Sequence, residues 1–228
     1  DYSQQKFLAY EIELMMKDMK SHGMSETAKD IILCRHLYNN INWTRKPLGK
    51  ELLAIADEHI YTPAARNAVH AINDKYEQIG QRKLSNEDNI KSNDVVKDMS
   101  DGEKILRKLI EPYKGKIILV DIWGTWCGPC KEALSHSQEE YDRLKGYDLV
   151  YLYLANRSSD ESWKNVIKEY KVEGDNVVHY NLPTAQQNAV ESFIGINGYP
   201  TYKLIDRDGK LLDVNADPID LDALARLL

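Results

Sequence analysis

Two of the three cysteines in this chain stand three residues apart, in Trp126-Cys127-Gly128-Pro129-Cys130. Thiols at positions i and i+3 of a first helical turn come within disulfide distance of one another. The motif directly follows Lys116–Trp123 (KIILVDIW), a near-continuous apolar run of the kind that forms a strand covered on both faces. Pro129 suits a first helical turn, where its missing N–H is not needed. The dithiol is therefore expected where a buried strand hands over to a helix. A helix N-terminus presents unpaired N–H groups and about half a positive charge, which stabilises a thiolate. The thiol pKa there falls below its free value of about 8.5. Cys127, the more exposed of the two, is the expected attacker. Cys130, one turn in, is placed to resolve a mixed disulfide from inside. The competing use of such a pair is half of a zinc site, but His136 and Cys34 supply no second paired spacing, so no metal is expected. Cys34, on the apolar side of an early helix, reads as a core thiol.

Asp121 lies six residues before Cys127, inside the apolar run. A carboxylate in a buried strand is costly to ionise, so its pKa is expected to rise towards neutrality. Close to the second thiol, it can take that thiol's proton as the mixed disulfide resolves. A third feature is Gly198-Tyr199-Pro200-Thr201, ahead of a late strand. Pro200 is expected to follow a cis bond, which is rare and usually purposeful. That geometry would bring the Tyr199 backbone beside the dithiol and let an extended substrate segment pair with it.

The elements that must hold these residues follow from periodicity. Residues 1–83 read as a helical domain of unknown role. Leu8, Ile12, Met15, Met16 and Met19 mark a first helix, and Ser25 caps a second with Ile31, Cys34, Tyr38 and Ile41 inward. Pro47 opens a third with Leu48, Leu52, Ile55 and Ile60. Thr62-Pro63 opens a fourth with Ala65, Val69, Ile72, Tyr76 and Ile79. Residues 84–99, rich in Ser, Asn, Asp and Lys, read as a linker or loosely docked segment. Ser100-Asp101-Gly102-Glu103 is a capping box that opens the domain spanning 100–228. There helices are expected at about 129–145, 159–170, 184–194 and 219–228. Strands are expected at 116–123, 148–155, 177–180 and 200–206, with a last strand at 210–214 closing a hairpin across Arg207-Asp208-Gly209. The fold class is α/β, one mixed sheet with helices on both faces, preceded by an all-α region.

Composition narrows the function classes. The 228 residues carry 30 basic and 36 acidic side chains, a net charge of −6, with 43% hydrophobic and 29% charged residues. That leaves no electrostatic footprint for nucleic acid or an anionic membrane surface, and no apolar run is long enough to span a bilayer. Three cysteines exclude a disulfide-stapled scaffold. The chain begins Asp1-Tyr2-Ser3, without Met or a leader, so either a leader was removed or this is a piece of a longer protein.

Taken together, Val120-Asp121-Ile122-Trp123, Trp126 to Lys131 and Gly198-Tyr199-Pro200-Thr201 resemble the thioredoxin superfamily over about residues 101–228. The extra length in the Ser158–Leu182 region, a central helix-strand insertion, and the phrase Asp206-Arg207-Asp208-Gly209-Lys210 resemble its TlpA/ResA-like branch, which works outside the bacterial cytoplasm. The glutamate and proline that this branch often carries after the motif are absent from Lys131-Glu132-Ala133-Leu134-Ser135, and Asp121 is thioredoxin-like instead. The resemblance implies a thiol-disulfide oxidoreductase with Cys127 as nucleophile, Cys130 as resolving thiol, Asp121 as buried acid and Pro200 as cis proline. Trp126, Gly128, Pro129 and Tyr199 would form the substrate surface. The redox-active disulfide would be the only cofactor. Protein disulfides or dithiols would be the substrates, and an upstream donor such as a membrane thiol reductase would supply electrons. The other readings are a redox sensor and a partner-binding module.

Overall fold

The computed structural model describes residues 2–214 and 216–228. It divides into two compact units, one ending at Arg82 and the other beginning at Lys83.

The first unit is four helices, α1 (Tyr2–Ser21), α2 (Glu26–Thr44), α3 (Lys50–His59) and α4 (Pro63–Gln81). Ser25 caps α2, its side chain accepting from the Ala28 N–H. Pro63 opens α4 in the first turn. Two details depart from the periodicity. Helix α3 starts at Lys50 behind Gly49, so Pro47 lies outside it. Helix α2 buries Asp30, Leu33, Leu37 and Ile41, leaving Ile31 and Tyr38 exposed and Cys34 half-buried. The polar Asp30 decides the face. Its carboxylate accepts from the Tyr61 and Thr62 N–H groups at 3.1 and 2.6 Å, satisfying donors at the start of α4, so it must turn inward. Cys34 donates to the Ala65 carbonyl at 3.3 Å, and burial raises its pKa.

The second unit is a four-stranded sheet between helical layers. Its strands are β1 (Ile117–Trp123), β2 (Leu149–Ala155), β3 (Val177–Asn181) and β4 (Thr201–Ile205), in the order β3-β2-β1-β4. β1, β2 and β3 run parallel, and β4 is antiparallel to β1. Alternation along β1 assigns the two cores. Ile118, Val120 and Ile122 face a layer built on α5 (Gly102–Ile110) and α9 (Thr184–Ile194). Leu119 and Trp123 face α6 (Gly128–Leu134), α7 (Ser137–Leu144), α8 (Asp160–Tyr170) and α10 (Leu221–Ala225). The inserted helix and strand are α8 and β3, which extend the sheet at its β2 edge.

Four local expectations change. The helix at 129–145 is broken into α6 and α7 at Ser135-His136. The Ser135 hydroxyl donates back to the Glu132 carbonyl at 2.6 Å, and His136 takes a bridge conformation (φ −101°, ψ 1°). Asp101, not Ser100, caps α5, accepting from the Lys104 N–H at 2.9 Å, while Glu103 pairs with Arg107 instead. The strand at 210–214 shrinks to a bridge between Ile205 and Leu211, with Leu212 N–H donating to the Leu204 carbonyl. The terminal helix is limited to Leu221–Ala225, capped by Asp220. Residues 84–99 pack on the second unit as two 3₁₀ turns. Lys91 N–H donates to the His179 carbonyl on the free edge of β3, and Val96 is fully buried.

Candidate active site

β1 ends at Trp123, and the next four residues form a tight loop into α6. Gly124 is needed there, because a Cβ would fall 2.6 Å from Trp126 Nε1 and 2.9 Å from the Asn156 carbonyl oxygen. The loop is tied down on both sides. Thr125 N–H donates to Ser158 Oγ at 3.0 Å. The buried Lys131 ammonium donates to the Thr125 carbonyl at 2.9 Å. Cys127 then takes the N-cap position of α6 with extended backbone, and Cys130 lies in the first turn. The two are joined as a disulfide with Cα atoms 5.3 Å apart, and the Cys130 N–H donates to Cys127 Sγ at 3.1 Å. That bond and the other free N–H groups of the turn favour charge on Cys127 once the disulfide is opened. Cys127 is 4% exposed and Cys130 1%, so the outer sulfur is the one that an incoming group meets. Gly128 and Pro129 are exposed beside it.

The surface around the dithiol comes from three separated segments. The Tyr199–Pro200 peptide bond is cis. Tyr199 packs edge-on against Trp126 with ring centroids 4.9 Å apart. Trp126 Nε1 donates to the Asn156 carbonyl at 3.0 Å, and the Arg157 guanidinium stacks 4.7 Å above its ring. Behind this surface lies a carboxylate that sequence periodicity does not pick out. Glu191, buried on α9, accepts from Asn156 Nδ2 with both oxygens at 2.9 Å, from Gln187 Nε2 at 3.0 Å and from the Tyr199 hydroxyl at 2.7 Å. Asn156 also donates to the Tyr199 oxygen at 2.7 Å. The available signal was the run of polar residues Gln186, Gln187 and Glu191 on inward positions of a short helix.

Asp121 occupies the centre of β1, opposite Tyr153 of β2 and Tyr202 of β4, on the face that also holds both cysteines. It is 7% exposed, and its Oδ1 is buried without a hydrogen-bond partner. Burial, then the neighbouring Glu140 and Asp217 carboxylates, push its pKa well above the ordinary range. Glu140 on α7 is 8% exposed, and burial followed by Asp217 pushes its pKa up to about 8. Phenols complete the surroundings: Tyr141 and Tyr153 share a 2.8 Å hydrogen bond, and burial raises both. A dithiol at a helix head, backed by carboxyls that hold protons near neutral pH, can carry out thiol–disulfide exchange with internal proton transfer. All eight residues singled out in the sequence lie in this unit, and Glu140, Asn156, Arg157 and Glu191 join them.

Residues 115–211 match the family model described as Thioredoxin-like. The thiol-disulfide oxidoreductase ResA of Bacillus thuringiensis subsp. konkukian (strain 97-27) is 30% identical over 120 residues, covering 53% of this chain and 64% of that protein. ResA of Bacillus subtilis (strain 168) is 29% identical over 105 residues, covering 46% of this chain and 55% of that protein. The chain thus spans less than two thirds of the length of these curated relatives. Among solved structures, the thioredoxin domain of a thiol-disulfide oxidoreductase from Bacteroides vulgatus is similar, with 24% identity and a TM-score of 0.44, covering 52% of this chain and 83% of that one. The matched residues, the sheet and the dithiol at the head of α6 together give the second unit of this chain a thioredoxin-like domain.

Proposed function

We propose that the chain is a thiol-disulfide oxidoreductase that reduces protein disulfides through Cys127 and Cys130. The observation that carries this reading is the disulfide-linked pair at the first turn of α6, with the Cys130 N–H donating to Cys127 Sγ. In the reduced form, Cys127 thiolate attacks a substrate disulfide. One substrate sulfur leaves as thiolate, and a mixed disulfide forms on Cys127. Cys130 passes its proton to Asp121 and attacks Cys127 Sγ, and the second substrate thiolate leaves. The two electrons have gone to the substrate, and the internal disulfide remains for an external dithiol donor to reduce. Trp126, Gly128, Pro129, Tyr199 and Pro200 form the docking surface, where an extended segment adds alongside the cis-proline loop.

The reducing direction is supported by the Gly-Pro pair between the cysteines, as in thioredoxin, whose potential is about −270 mV. Resemblance to the TlpA/ResA-like branch supports a place in the bacterial envelope, with a membrane thiol reductase as donor. No described helix is long and apolar enough to cross a membrane.

The test is a redox titration together with disulfide reduction by the intact chain and by Cys127→Ser. Turnover that Cys127→Ser abolishes, with a midpoint near that of thioredoxin, is expected. A midpoint above about −200 mV would overturn the reducing direction. Cellular function that survives in Cys127→Ser would point instead to a partner-binding module. Cys130→Ala is expected to accumulate mixed disulfides on Cys127, and the trapped proteins identify the substrates.

A further inference from the structure

We infer that Glu140 is the outer half of a two-carboxyl relay that moves the proton released by Cys130 from Asp121 to solvent. The inference rests on the exchange reaction proposed above and adds to it a route for the proton.

Three observations carry it. First, Glu140 is turned inward from α7 with one carboxyl oxygen left unpaired. Its Oε1 is buried without a hydrogen-bond partner, as is Asp121 Oδ1. One turn further on, the inward position of α7 is taken by Leu144. An aliphatic side chain suits such a site better than a carboxyl that gains no hydrogen bond. Second, Glu140 lies close enough for its charge to act on the ionisation of Asp121. The groups facing them are Asp217 from the C-terminal segment, Tyr141 on α7, Tyr151 and Tyr153 on β2 and Tyr202 on β4. The charges that act on the two carboxyls are those of other carboxylates. The pair therefore sheds charge by holding a proton. Third, Glu140 lines a cavity of about 260 Å³ between the α6–α7 corner and the C-terminal segment. Its other walls include Ala133, His136, Glu139, Pro218 and Leu221. Asp121 is not among those walls. Glu140 thus both acts on the buried acid and opens onto a cavity that the acid does not reach.

With one proton on the pair, Asp121 holds it and Glu140 is ionised, since the Glu140 charge acts on Asp121; the step balances when that proton first moves to Glu140. Cys130–SH gives its proton to Asp121, and the Cys130 sulfur forms a bond to Cys127 Sγ. The mixed disulfide bond breaks, and the substrate sulfur leaves with the electron pair. Glu140 then releases its proton through the cavity, which returns the pair to its starting state. No electron passes through the relay. Glu140 touches no reacting sulfur and acts only through Asp121.

The experiment uses the full chain as wild type, Glu140→Gln, Glu140→Asp and Asp121→Asn. Oxidised-minus-reduced infrared difference spectra are recorded from about pH 5 to about pH 10 and read in the carbonyl-stretch region of protonated carboxylic acids. Wild type is expected to show two such signals that titrate together. Glu140→Gln should remove one and shift the other to lower pH, because its like-charge neighbour is gone. In stopped flow with 5,5′-dithiobis(2-nitrobenzoate), the first thiol released reports attack by Cys127 and the second reports resolution by Cys130. Glu140→Gln should leave the first within about twofold and slow the second by about 10²-fold near neutral pH, the lower end of what a positioned proton acceptor contributes. Glu140→Asp should recover most of that loss. A single carboxyl signal in wild type would overturn the relay and needs no variant to fold. So would an unchanged second phase and pH profile in Glu140→Gln. If wild type exchanges no disulfide at all, the oxidoreductase reading fails, while the infrared titration still decides whether the two carboxyls share their protons.

Discussion

Three buried carboxyls serve this unit in opposite ways. Glu191 has every oxygen bonded, to Asn156, Gln187 and Tyr199, and so fixes the side chain of the cis-proline loop and, through Asn156, the setting of Trp126. Glu191→Ala would leave the buried Gln187 amide without this acceptor, an unpaired buried donor costing about 1–3 kcal/mol, while Asn156 keeps the Tyr199 oxygen and the half-buried Tyr199 hydroxyl can turn to water. A loss of about 2 kcal/mol in urea unfolding is expected, with a larger fall in turnover on a protein disulfide than on a small one. Equal losses on both substrates would show that the network does not shape the docking surface. Asp121 and Glu140 each keep one buried oxygen unpaired instead, and their effect appears in the pH dependence of stability. Glu140 titrates at about 8 when folded against 4.5 as a free side chain, so the folded chain keeps a proton that the unfolded chain loses. That stability is full below pH 4.5 and is lost as pH rises to about 8. His179 opposes it on the acid side. Burial lowers its pKa from 6.5 to about 4, so the folded state loses stability as pH falls through that range. The two slopes overlap below 6.5, which leaves the interval between 6.5 and about 8 to the carboxyls. Denaturant unfolding should show stability falling across that interval in wild type and a shallower fall in Glu140→Gln. An unaltered slope would mean that Glu140 titrates normally.

At the scale of elements, what sequence periodicity reveals depends on whether burial follows hydrophobicity. It does in β1 and β2, where KIILVDIW and DLVYLYLA are apolar on both faces because helices cover both. It fails in α2, where a polar residue, Asp30, sets the inward face by accepting from the Tyr61 and Thr62 N–H groups just ahead of α4. It fails again at Ser135-His136, where one hydroxyl turned back on its own helix splits α6 from α7. That break matters for the site, because α7 is the element that brings in Glu140. The pair of cysteines and the cis-proline loop were legible as local motifs. Glu140, Asn156 and Glu191 were not, since each is defined by partners distant in sequence. Helix packing makes one further prediction. Gly102, at the first turn of α5, has ordinary backbone angles, and in an open helix its replacement by Ala would be stabilising by up to about 1 kcal/mol. Here a Cβ would lie 2.0 Å from the Ala189 carbonyl oxygen on α9, a backbone atom that cannot rotate away. Gly102→Ala is therefore expected to lower stability by about 1–3 kcal/mol as α5 is pushed off α9. A gain in urea midpoint would mean that the two helices separate at little cost.

For the whole molecule, the informative question is where the second unit begins. Composition marks 84–99 as polar and sparse in apolar residues, and a boundary at 99/100 follows from that alone. The structure gives those residues specific seats instead. Asn89 Nδ2 donates to the Gly174 carbonyl at 2.9 Å and Asn93 Nδ2 to the Asn181 carbonyl at 2.7 Å. Gln186 Nε2 donates to the carbonyls of Val96 and Met99. Ile90 bridges His179 on the outer edge of β3. The segment is polar because it binds through side-chain amides to backbone carbonyls, a use of Asn and Gln that composition cannot separate from a solvated tether. Removing it would expose the β3 edge, empty the seat of Val96 and leave the Gln186 amide unpaired. Burial of Val96 alone is worth about 1.5–3 kcal/mol. A fragment of residues 83–228 is therefore expected to fold and to exchange disulfides at the rate of the full chain within about twofold, because every residue placed in the site lies inside it. A fragment of residues 100–228 should be less stable by about 3 kcal/mol or more and should self-associate through the uncovered edge. Urea unfolding and size-exclusion chromatography of the two fragments make the comparison. Equal stability and equal monomer content would show that 84–99 is a tether, and that the sheet is complete without it.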